Sequence, residues 1–280
     1  MVDILLDALI DSIKTLPFLF GVYLLIEYIE HNSADKLGKS LRKLGPFGAI
    51  GGGILGAIPQ CGFSVAAANL FSGRLISMGT LVAVFLSTSD EAIPMLISNP
   101  SAFHSLWKFI LIKTAIAIAV GILTDLVIKC FRLEKEEEPF KEICSHCDCD
   151  HHSIVRAALS HTASIIFFIL IVNIILGFAI EYAGEENLRH IMMTDSLLQP
   201  LITAIFGFIP NCASSVMLTQ LYTEGALSFG SVIAGLCTNA GAGLIVLMRE
   251  KSRVKDNVKI IGILYICAVI PGIILHLAGI

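Results

Sequence analysis

Two copies of a proline-interrupted apolar stretch most restrict how this chain can fold. Residues 58–64 read Ile-Pro-Gln-Cys-Gly-Phe-Ser and residues 209–215 read Ile-Pro-Asn-Cys-Ala-Ser-Ser, at an offset of 151 residues (210 − 59). At this offset, residues 54–88 and 205–239 are identical at 11 of 35 positions, including Pro, Cys, Gly and Ser. Shared hydrophobicity alone would not match those residue types, so the chain contains two copies of one unit.

Composition predicts that the unit lies in a membrane. The chain is 55% hydrophobic and 15% charged, with a mean hydropathy of +0.82, whereas soluble domains carry about 25% charged residues. Apolar windows such as 109–128 and 154–182 approach the ~20 residues that a spanning helix needs. The first dozen residues hold three aspartates and no basic region, so no cleavable signal peptide is expected. We therefore expect an all-α, polytopic membrane protein, and nucleic acid is not an expected partner.

The placement of basic residues predicts the topology. Lysine and arginine concentrate at 33–45, 129–141 and 249–259, which the positive-inside rule assigns to the cytoplasm. The acidic N-terminus, the 183–196 loop and the C-terminal twenty residues are then external. An odd number of crossings per copy satisfies this pattern, which predicts inverted repeats in the cell membrane. The predicted parts are a first repeat (1–132), a cytoplasmic linker (133–153) and a second repeat (154–280).

Each copy holds four apolar segments, so one of them must enter and leave on the same side. We predict that the Pro-Cys segment is this re-entrant one, descending over 46–58, turning at 59–62 and returning over 63–72. In the alternative it is a broken spanning helix, and the next segment, interrupted at 87–91, is re-entrant. Both versions bring interrupted helices together near the bilayer midplane, where non-helical backbone must be buried or line a watery cavity. The predicted helix breaks are at Pro59, Pro94, Pro210 and Gly241.

The two Pro-Cys turns are the first candidate site. Paired interrupted helices in corresponding positions of two halves indicate a substrate site in transporters. Thiol, amide and freed carbonyl groups at such breaks suit a soft or borderline cation. The alternative is a packing kink with a small buried thiol. The candidate ligands are Gln60, Cys61, Ser64, Asn211, Cys212 and Ser215.

The segment after each turn is the second candidate. Copy one reads Ser-Thr-Ser-Asp-Glu-Ala over 87–92, and an aspartate at the bilayer centre costs about 2.5–3.5 kcal/mol on insertion scales. Such carboxylates indicate an ion or proton pathway, unless the stretch lies at the membrane interface. Copy two supplies an asparagine and a Gly-x-Gly instead, which predicts one anionic site for one cation. The candidates are Thr88, Ser89, Asp90, Glu91, Thr238 and Asn239.

The end of the first helix reads Glu-Tyr-Ile-Glu-His and is echoed by Glu-Tyr in copy two. Three of its side chains share a helix face by their spacing. They form either a proton relay or metal way-station at a cavity mouth, or a solvated helix end. The residues concerned are Glu27, Glu30, His31 and Glu181.

The linker carries a separate signal. Its nine residues 144–152 read Cys-Ser-His-Cys-Asp-Cys-Asp-His-His, and thiolate and imidazole ligands suit zinc, cadmium or cuprous copper. The segment acts either as a metal sensor or delivery arm, or as a flexible loop. The candidate ligands are Cys144, His146, Cys147, Cys149, His151 and His152.

Together, the tandem Ile-Pro-x-Cys turns, the Ser-Thr-Ser-Asp-Glu-Ala stretch, the Leu-Ile-Glu-Tyr-Ile-Glu-His helix end and the His/Cys/Asp linker resemble a family of bacterial and archaeal permeases. That family is described as ten-helix heavy-metal exporters, is also labelled arsenic efflux or manganese transporters, and is distantly similar to organoarsenical permeases. The resemblance covers nearly the whole chain and implies efflux of a metal or metalloid.

The leading functional hypothesis is therefore secondary export of a divalent transition metal, such as manganese or zinc, by alternating access. Protons are the expected coupling ion, because the chain has no Gly-x-x-x-x-Gly-Lys loop for nucleotides. No tightly bound cofactor is expected. The alternatives are a permease for arsenite or another oxyanion or sulfur species that uses Cys61 and Cys212, an intramembrane metal-dependent enzyme, and a channel. An enzyme is not expected, since the His-Glu-x-x-His signature is absent from the sequence. The oligomeric state stays open, with a homodimer as one alternative.

Overall fold

The structure is a computed structural model, and it describes residues 46–89, 92–98, 103–130, 154–183, 197–249 and 254–278 together with isolated helical positions between 6 and 24. Within these residues the fold is entirely helices and turns. The helices of the first copy are α1 (Pro46–Gly56), α2 (Cys61–Ser72), α3 (Met78–Ser87), α4 (Ala92–Ser98) and α5 (Phe103–Cys130). The remaining helices are α6 (Ile154–Ala183), α7 (Gln199–Gly207), α8 (Cys212–Thr223), α9 (Phe229–Thr238), α10 (Ala242–Arg249) and α11 (Val254–Leu277).

The helix bounds repeat at the offset that the sequence predicts. Helices α2 and α8 begin and end 151 residues apart (212 − 61 and 223 − 72), and so do α3 and α9 (229 − 78 and 238 − 87). The same offset relates the ends of α4 and α10 and the starts of α5 and α11. The duplicated unit is therefore a unit of structure as well as of sequence. Whether the two units are inverted relative to the bilayer stays a prediction, as do the predicted repeat and linker boundaries and the orientation of the termini.

The protein is a helical polytopic membrane protein. Among the described residues, five segments are long and apolar enough to cross a bilayer: Met78–Ile97, Ser105–Cys130, Ala158–Ile175, Phe229–Arg249 and Asp256–Leu277. The two interrupted segments, at 78–97 and 229–249, are 81% and 94% buried, whereas the other three are only 22–29% buried. The interrupted helices thus lie inside the protein and the continuous ones face outward. This is the arrangement that a bilayer demands, because broken backbone cannot face lipid.

Each copy forms a small bundle, and the two bundles exchange helices. In the first copy α1, α3 and α5 pack on one another, and in the second copy α7, α9 and α11 do the same. The helix after each Pro-Cys turn packs on the core helix of its own copy, α2 on α3 and α8 on α9, and also on the other copy, α2 against α10 and α8 against α4. Helices α3 and α9 contact each other between the bundles. The fold therefore cannot be divided into two independent halves.

Close helix crossings in the bundles depend on paired glycines. A Cβ on Gly79 of α3 would overlap the Gly121 carbonyl oxygen of α5, and a Cβ on Gly230 of α9 would overlap the Gly272 carbonyl oxygen of α11. These four positions are also 151 residues apart in pairs. Small residues at the crossing let two membrane helices approach to backbone contact, where van der Waals packing is the main source of association.

The start of each core helix is tied to the long helix beside it. Ser77 caps α3, and its hydroxyl donates to Asp125 of α5 at 2.7 Å, while the Gly79 N–H donates to the same carboxylate at 2.8 Å. In the second copy Ser228 caps α9 and lies 2.7 Å from Nδ1 of His276. Asp125 and His276 are equivalent positions of the repeat (276 − 125 is 151). The chemistry of the tie has diverged, but its place in the fold has not.

Of the four residues named as helix breaks, three lie outside the described helices and one lies inside a helix. Pro59 and Pro210 lie in the turns before α2 and α8, and Gly241 lies at the turn between α9 and α10 with a φ of 53°. Pro94 corrects the prediction, because it is the third residue of α4 and therefore lies in its first turn. A proline is tolerated there, since the N–H groups of the first turn have no intrahelical partner. The first copy instead leaves helix at Thr88 and Ser89.

The carboxylate tie predicts a loss of stability on truncation. Asp125→Ala removes two charge-assisted hydrogen bonds at the start of α3, and we expect it to cost about 1–2 kcal/mol. The midpoint of thermal unfolding of the detergent-purified protein should fall accordingly. Leu126→Ala is the matched control, since that neighbouring side chain is 51% exposed. An equal effect of the two substitutions would contradict the assignment.

Candidate functional site

The two Pro-Cys turns begin helices in the same way. Gln60 and Asn211 have extended backbone, with φ of −160° and −138°, and each is the N-cap of the helix that follows. The Asn211 side chain accepts a hydrogen bond from the Ala213 N–H at 3.3 Å, whereas the Gln60 side chain makes no such cap. Each turn therefore places the start of a helix directly after the break in the chain. The cysteine is the first helical residue in both copies.

A small cleft lies where the interrupted helices of the two copies meet. Its cavity volume is about 10 Å³, which is room for about one water-sized molecule or a single ion, and the cleft is partly open to the outside. Thr88 and Asn239, which both line it, are equivalent positions of the repeat (239 − 88 is 151). The cleft thus lies between the two unwound ends of the core helices. Its lining is Thr88, Ser89, Asn211, Cys212, Ser215, Leu236, Asn239 and Gly241.

Hydrogen bonds hold the second-copy side of the cleft in shape. The Asn239 amide donates to the Ser214 hydroxyl at 2.9 Å, and its oxygen accepts from the Gly241 N–H at 3.0 Å. Ser214 in turn donates to backbone carbonyls of the Pro-Cys turn, at 2.9 Å to Ile209 and 2.7 Å to Asn211. Asn239 therefore links the break after α9 to the turn before α8.

The first-copy side contains a charged residue that the sequence argument did not single out. Lys113 of α5 is 1% exposed, and its ammonium donates to the Thr88 carbonyl and, at 2.6 Å, to the Ser89 hydroxyl. It also lies 5.7 Å from the ring centre of Phe109. The Lys113 ammonium therefore contacts both first-copy residues that line the cleft. The signal was present, because an ionisable residue within a transmembrane segment is by default a functional candidate.

Six of the predicted ligand candidates line the cleft and other candidates do not. Ser64 is fully buried beside Gly243 of α10, where it contributes to the contact between the copies. Thr238 donates to the Ala204 carbonyl at 2.7 Å and so fastens α9 to α7. Gln60 is partly buried and is absent from the lining. For these three side chains the described geometry indicates packing or turn roles.

The remaining candidates lie outside the described residues. This holds for the acidic pair Asp90 and Glu91, for the helix-end group Glu27, Glu30 and His31, and for every linker ligand between 144 and 152. Cys61 and Glu181 have described helical backbones, in α2 and α6, but their side chains are not described. Their proposed roles stay predictions.

The described residues of the cleft offer uncharged groups to a ligand. Within the residues that the structure describes, no three His, Cys, Asp or Glu side chains are grouped so that they could hold a metal ion. The lining instead offers one thiol, two amides, several hydroxyls and unwound backbone. Charge on a bound cation would have to be balanced by the acidic pair that directly follows Ser89 in the sequence.

Comparison with known proteins identifies a family for nearly the whole chain. The family model described as "Putative, 10TM heavy-metal exporter" matches residues 1–185 and 174–279. No curated protein and no solved structure matches the chain.

The Asn239 link gives a prediction that can be checked without knowing the substrate. Asn239→Ala leaves the buried Gly241 N–H without its acceptor, which we expect to cost about 1–3 kcal/mol. The thermal unfolding midpoint should fall, and proteolysis of the folded protein at the turn before α8 should become faster. Thr223→Ala, which removes only a hydrogen bond within one turn at the end of α8, is the control. If both proteins behave like wild type, Asn239 does not hold the breaks together.

Proposed function

This chain belongs to the ArsP_2 family, described as heavy-metal exporters, and we propose that it exports a divalent transition metal ion by alternating access through the cleft between the two core-helix breaks. The observation that carries the proposal is the convergence of six predicted ligand residues, from both copies, on one cleft. The family is one of transporters, and a metal ion is therefore the expected substrate.

The ligand chemistry favours a borderline to soft ion. The thiol of Cys212, the amide oxygens of Asn211 and Asn239, and the hydroxyls around them would surround the ion, while Asp90 and Glu91 would supply the negative charge. Direct thiolate ligation selects zinc or cadmium, whereas an all-oxygen shell suits manganese. Cys212 begins α8, and the positive end of a helix stabilises a thiolate. We therefore place Zn²⁺ and Cd²⁺ ahead of Mn²⁺.

The exchange of helices between the copies supports alternating access. Because α2 packs on α10 and α8 packs on α4, each copy carries one element that moves with the other. If one bundle rocks against the other, the paired helices slide past each other. This motion would change which side of the membrane the cleft opens to. Transporters built from repeats commonly work in this way around a fixed central site.

Proton coupling is the proposed driving force. If protons and metal use the same carboxylates, an imposed pH gradient across proteoliposomes should drive Zn²⁺ uphill, and the gradient should be needed for accumulation. A saturable flux that a gradient drives uphill is the behaviour of a carrier. A flux that follows only the metal gradient and does not saturate would indicate a channel.

A second candidate substrate is favoured by one observation. The buried ammonium of Lys113 contacts the lining residues Thr88 and Ser89, and a fixed positive charge favours an anion. Arsenite or another oxyanion would be held by this ammonium and by the Cys212 thiol. Asp90 and Glu91 weigh against an anion, since two carboxylates repel it unless they are protonated. The cation therefore remains the leading proposal.

Calorimetry on the purified protein tests the proposal. Residues 134–153 are replaced by a Gly/Ser spacer, so that the linker cannot bind metal, and the protein is titrated with Zn²⁺, Cd²⁺, Mn²⁺ and arsenite. We expect a divalent ion to bind, and binding to weaken at least about ten-fold in Cys212→Ser and in the double variant Asp90→Asn/Glu91→Gln. Cys267→Ser is the control, because that partly buried thiol on α11 is not in the cleft.

Two outcomes would redirect the assignment. Binding of metal only by the protein with its intact linker would remove the intramembrane cation site. Binding of arsenite that depends on Cys212, without binding of any divalent ion, would establish the metalloid alternative in its place.

A further inference from the structure

Lys113 is an ionisable residue inside a membrane-spanning segment. It is 1% exposed and lies about a third of the way along the apolar segment Ser105–Cys130, and at the centre of such a helix a lysine costs about 2.5–3.5 kcal/mol on insertion scales. Its position does not require a polar side chain, because the equivalent residue of the second copy, Leu264, is also fully buried (264 − 113 is 151). Packing therefore does not account for the lysine.

Lys113 is one of several ionisable residues that the first copy has and the second copy lacks at equivalent positions. At the repeat offset, Asp90 and Glu91 correspond to Gly241 and Ala242. Copy one thus has three ionisable residues at positions where copy two has none. The two acidic residues directly follow Ser89, to which Lys113 donates a hydrogen bond. In the sequence, the acidic pair and Lys113 thus belong to the same copy.

The oxygens that Lys113 binds belong to two residues of the cleft lining, and we infer that a bound cation would use the same oxygens. The Lys113 ammonium binds the carbonyl of Thr88 and the hydroxyl of Ser89, and both residues line the cleft. An ammonium and a divalent ion cannot share one set of oxygens, because their like charges repel strongly at contact distance in an interior of low dielectric. One of them must leave when the other binds.

We propose that the Lys113 ammonium is a tethered cation that fills the metal site when the carrier is empty and leaves it when metal binds. This inference rests on the proposed function and deepens it. It names the residue that lets the empty carrier return, which net transport requires and metal-for-metal exchange does not. With the site filled, the empty carrier can change its conformation without moving an uncompensated negative charge through the membrane core. Only movement of the side chain is required, and Lys113 keeps its charge throughout.

A merely structural role makes a different prediction. Ammonium groups near the end of a helix can hydrogen-bond its last carbonyls, and Thr88 is the C-cap of α3. If Lys113 were only such a cap, its loss would lower stability and reduce metal binding, exchange and efflux together. The tethered-cation role predicts that these quantities change in opposite directions.

The test uses Lys113→Leu, which installs the residue that the second copy carries, and Lys113→Met as a second neutral variant in case the first folds poorly. Lys113→Arg retains the charge, and Lys108→Met removes an exposed lysine from the same helix. Full-length proteins in liposomes are compared for Zn²⁺ affinity, for exchange of radioactive against unlabelled Zn²⁺, and for net Zn²⁺ efflux into metal-free buffer, with Mn²⁺ and Cd²⁺ as further probes.

In the neutral variants we expect Zn²⁺ affinity to rise by about ten-fold or more, because a competing cation is gone. Exchange should stay within about three-fold of wild type, and net efflux should fall by about ten-fold or more. Lys113→Arg should retain more net efflux than either neutral variant, and Lys108→Met should match wild type. Equal losses of exchange and efflux, or an unchanged or weaker Zn²⁺ affinity, would overturn the proposal while leaving the metal site intact. Failure of the wild type to bind Zn²⁺, Cd²⁺ or Mn²⁺ would instead overturn the proposed function, and this inference with it.

Discussion

The fold depends on the requirement that backbone polar groups away from water find partners within the protein. Each copy interrupts a core helix and precedes it with a proline turn, which leaves N–H and C=O groups without helical partners. The described structure meets the requirement with side chains: Asn239 accepts from the buried N–H of Gly241, and Lys113 donates to the carbonyl of Thr88. The continuous helices α5, α6 and α11 then separate these breaks from the lipid.

The same constraint explains why the copies exchange helices. A half-helix such as α2 is too short to bury both its sides against its own bundle, and α1 and α2 make few contacts with each other. Packing α2 on α10, and α8 on α4, covers both breaks at once. Neither copy is therefore complete alone. The two copies approach closely where small residues meet, as at Ser64 beside Gly243.

Much of the fold could be predicted from the sequence because duplication and proline are local signals. The Pro-Cys motif predicted a turn at 59–62 and a helix from 63, whereas α2 begins at Cys61, and the polar stretch at 87–91 predicted an interruption where α3 ends at Ser87. The exchanged pairing could not be predicted, since an offset shows which residues are equivalent and not which ones touch. Pro94 was predicted to be a helix break, but it lies in the first turn of α4. The sequence alone does not distinguish a proline in the first turn of a helix from a proline that interrupts one. The ties through Asp125 and His276 were missed because the two residue types differ, although their positions match.

Lys113 was not among the site residues predicted from the sequence, yet it bears on the sign of the substrate's charge. Considered alone, a buried ammonium beside the cleft favours an anion. Considered with the repeat, it belongs to a set of three ionisable residues that copy two lacks altogether, and two of the three are acidic. A site built for an anion would gain nothing from that acidic pair, whereas a site for a divalent cation has excess negative charge whenever it is empty. In the proposed cycle a tethered ammonium would balance this charge. The asymmetry of the repeat would then follow from one requirement, that the empty and the loaded carrier both change conformation in the low-dielectric core with their charges compensated.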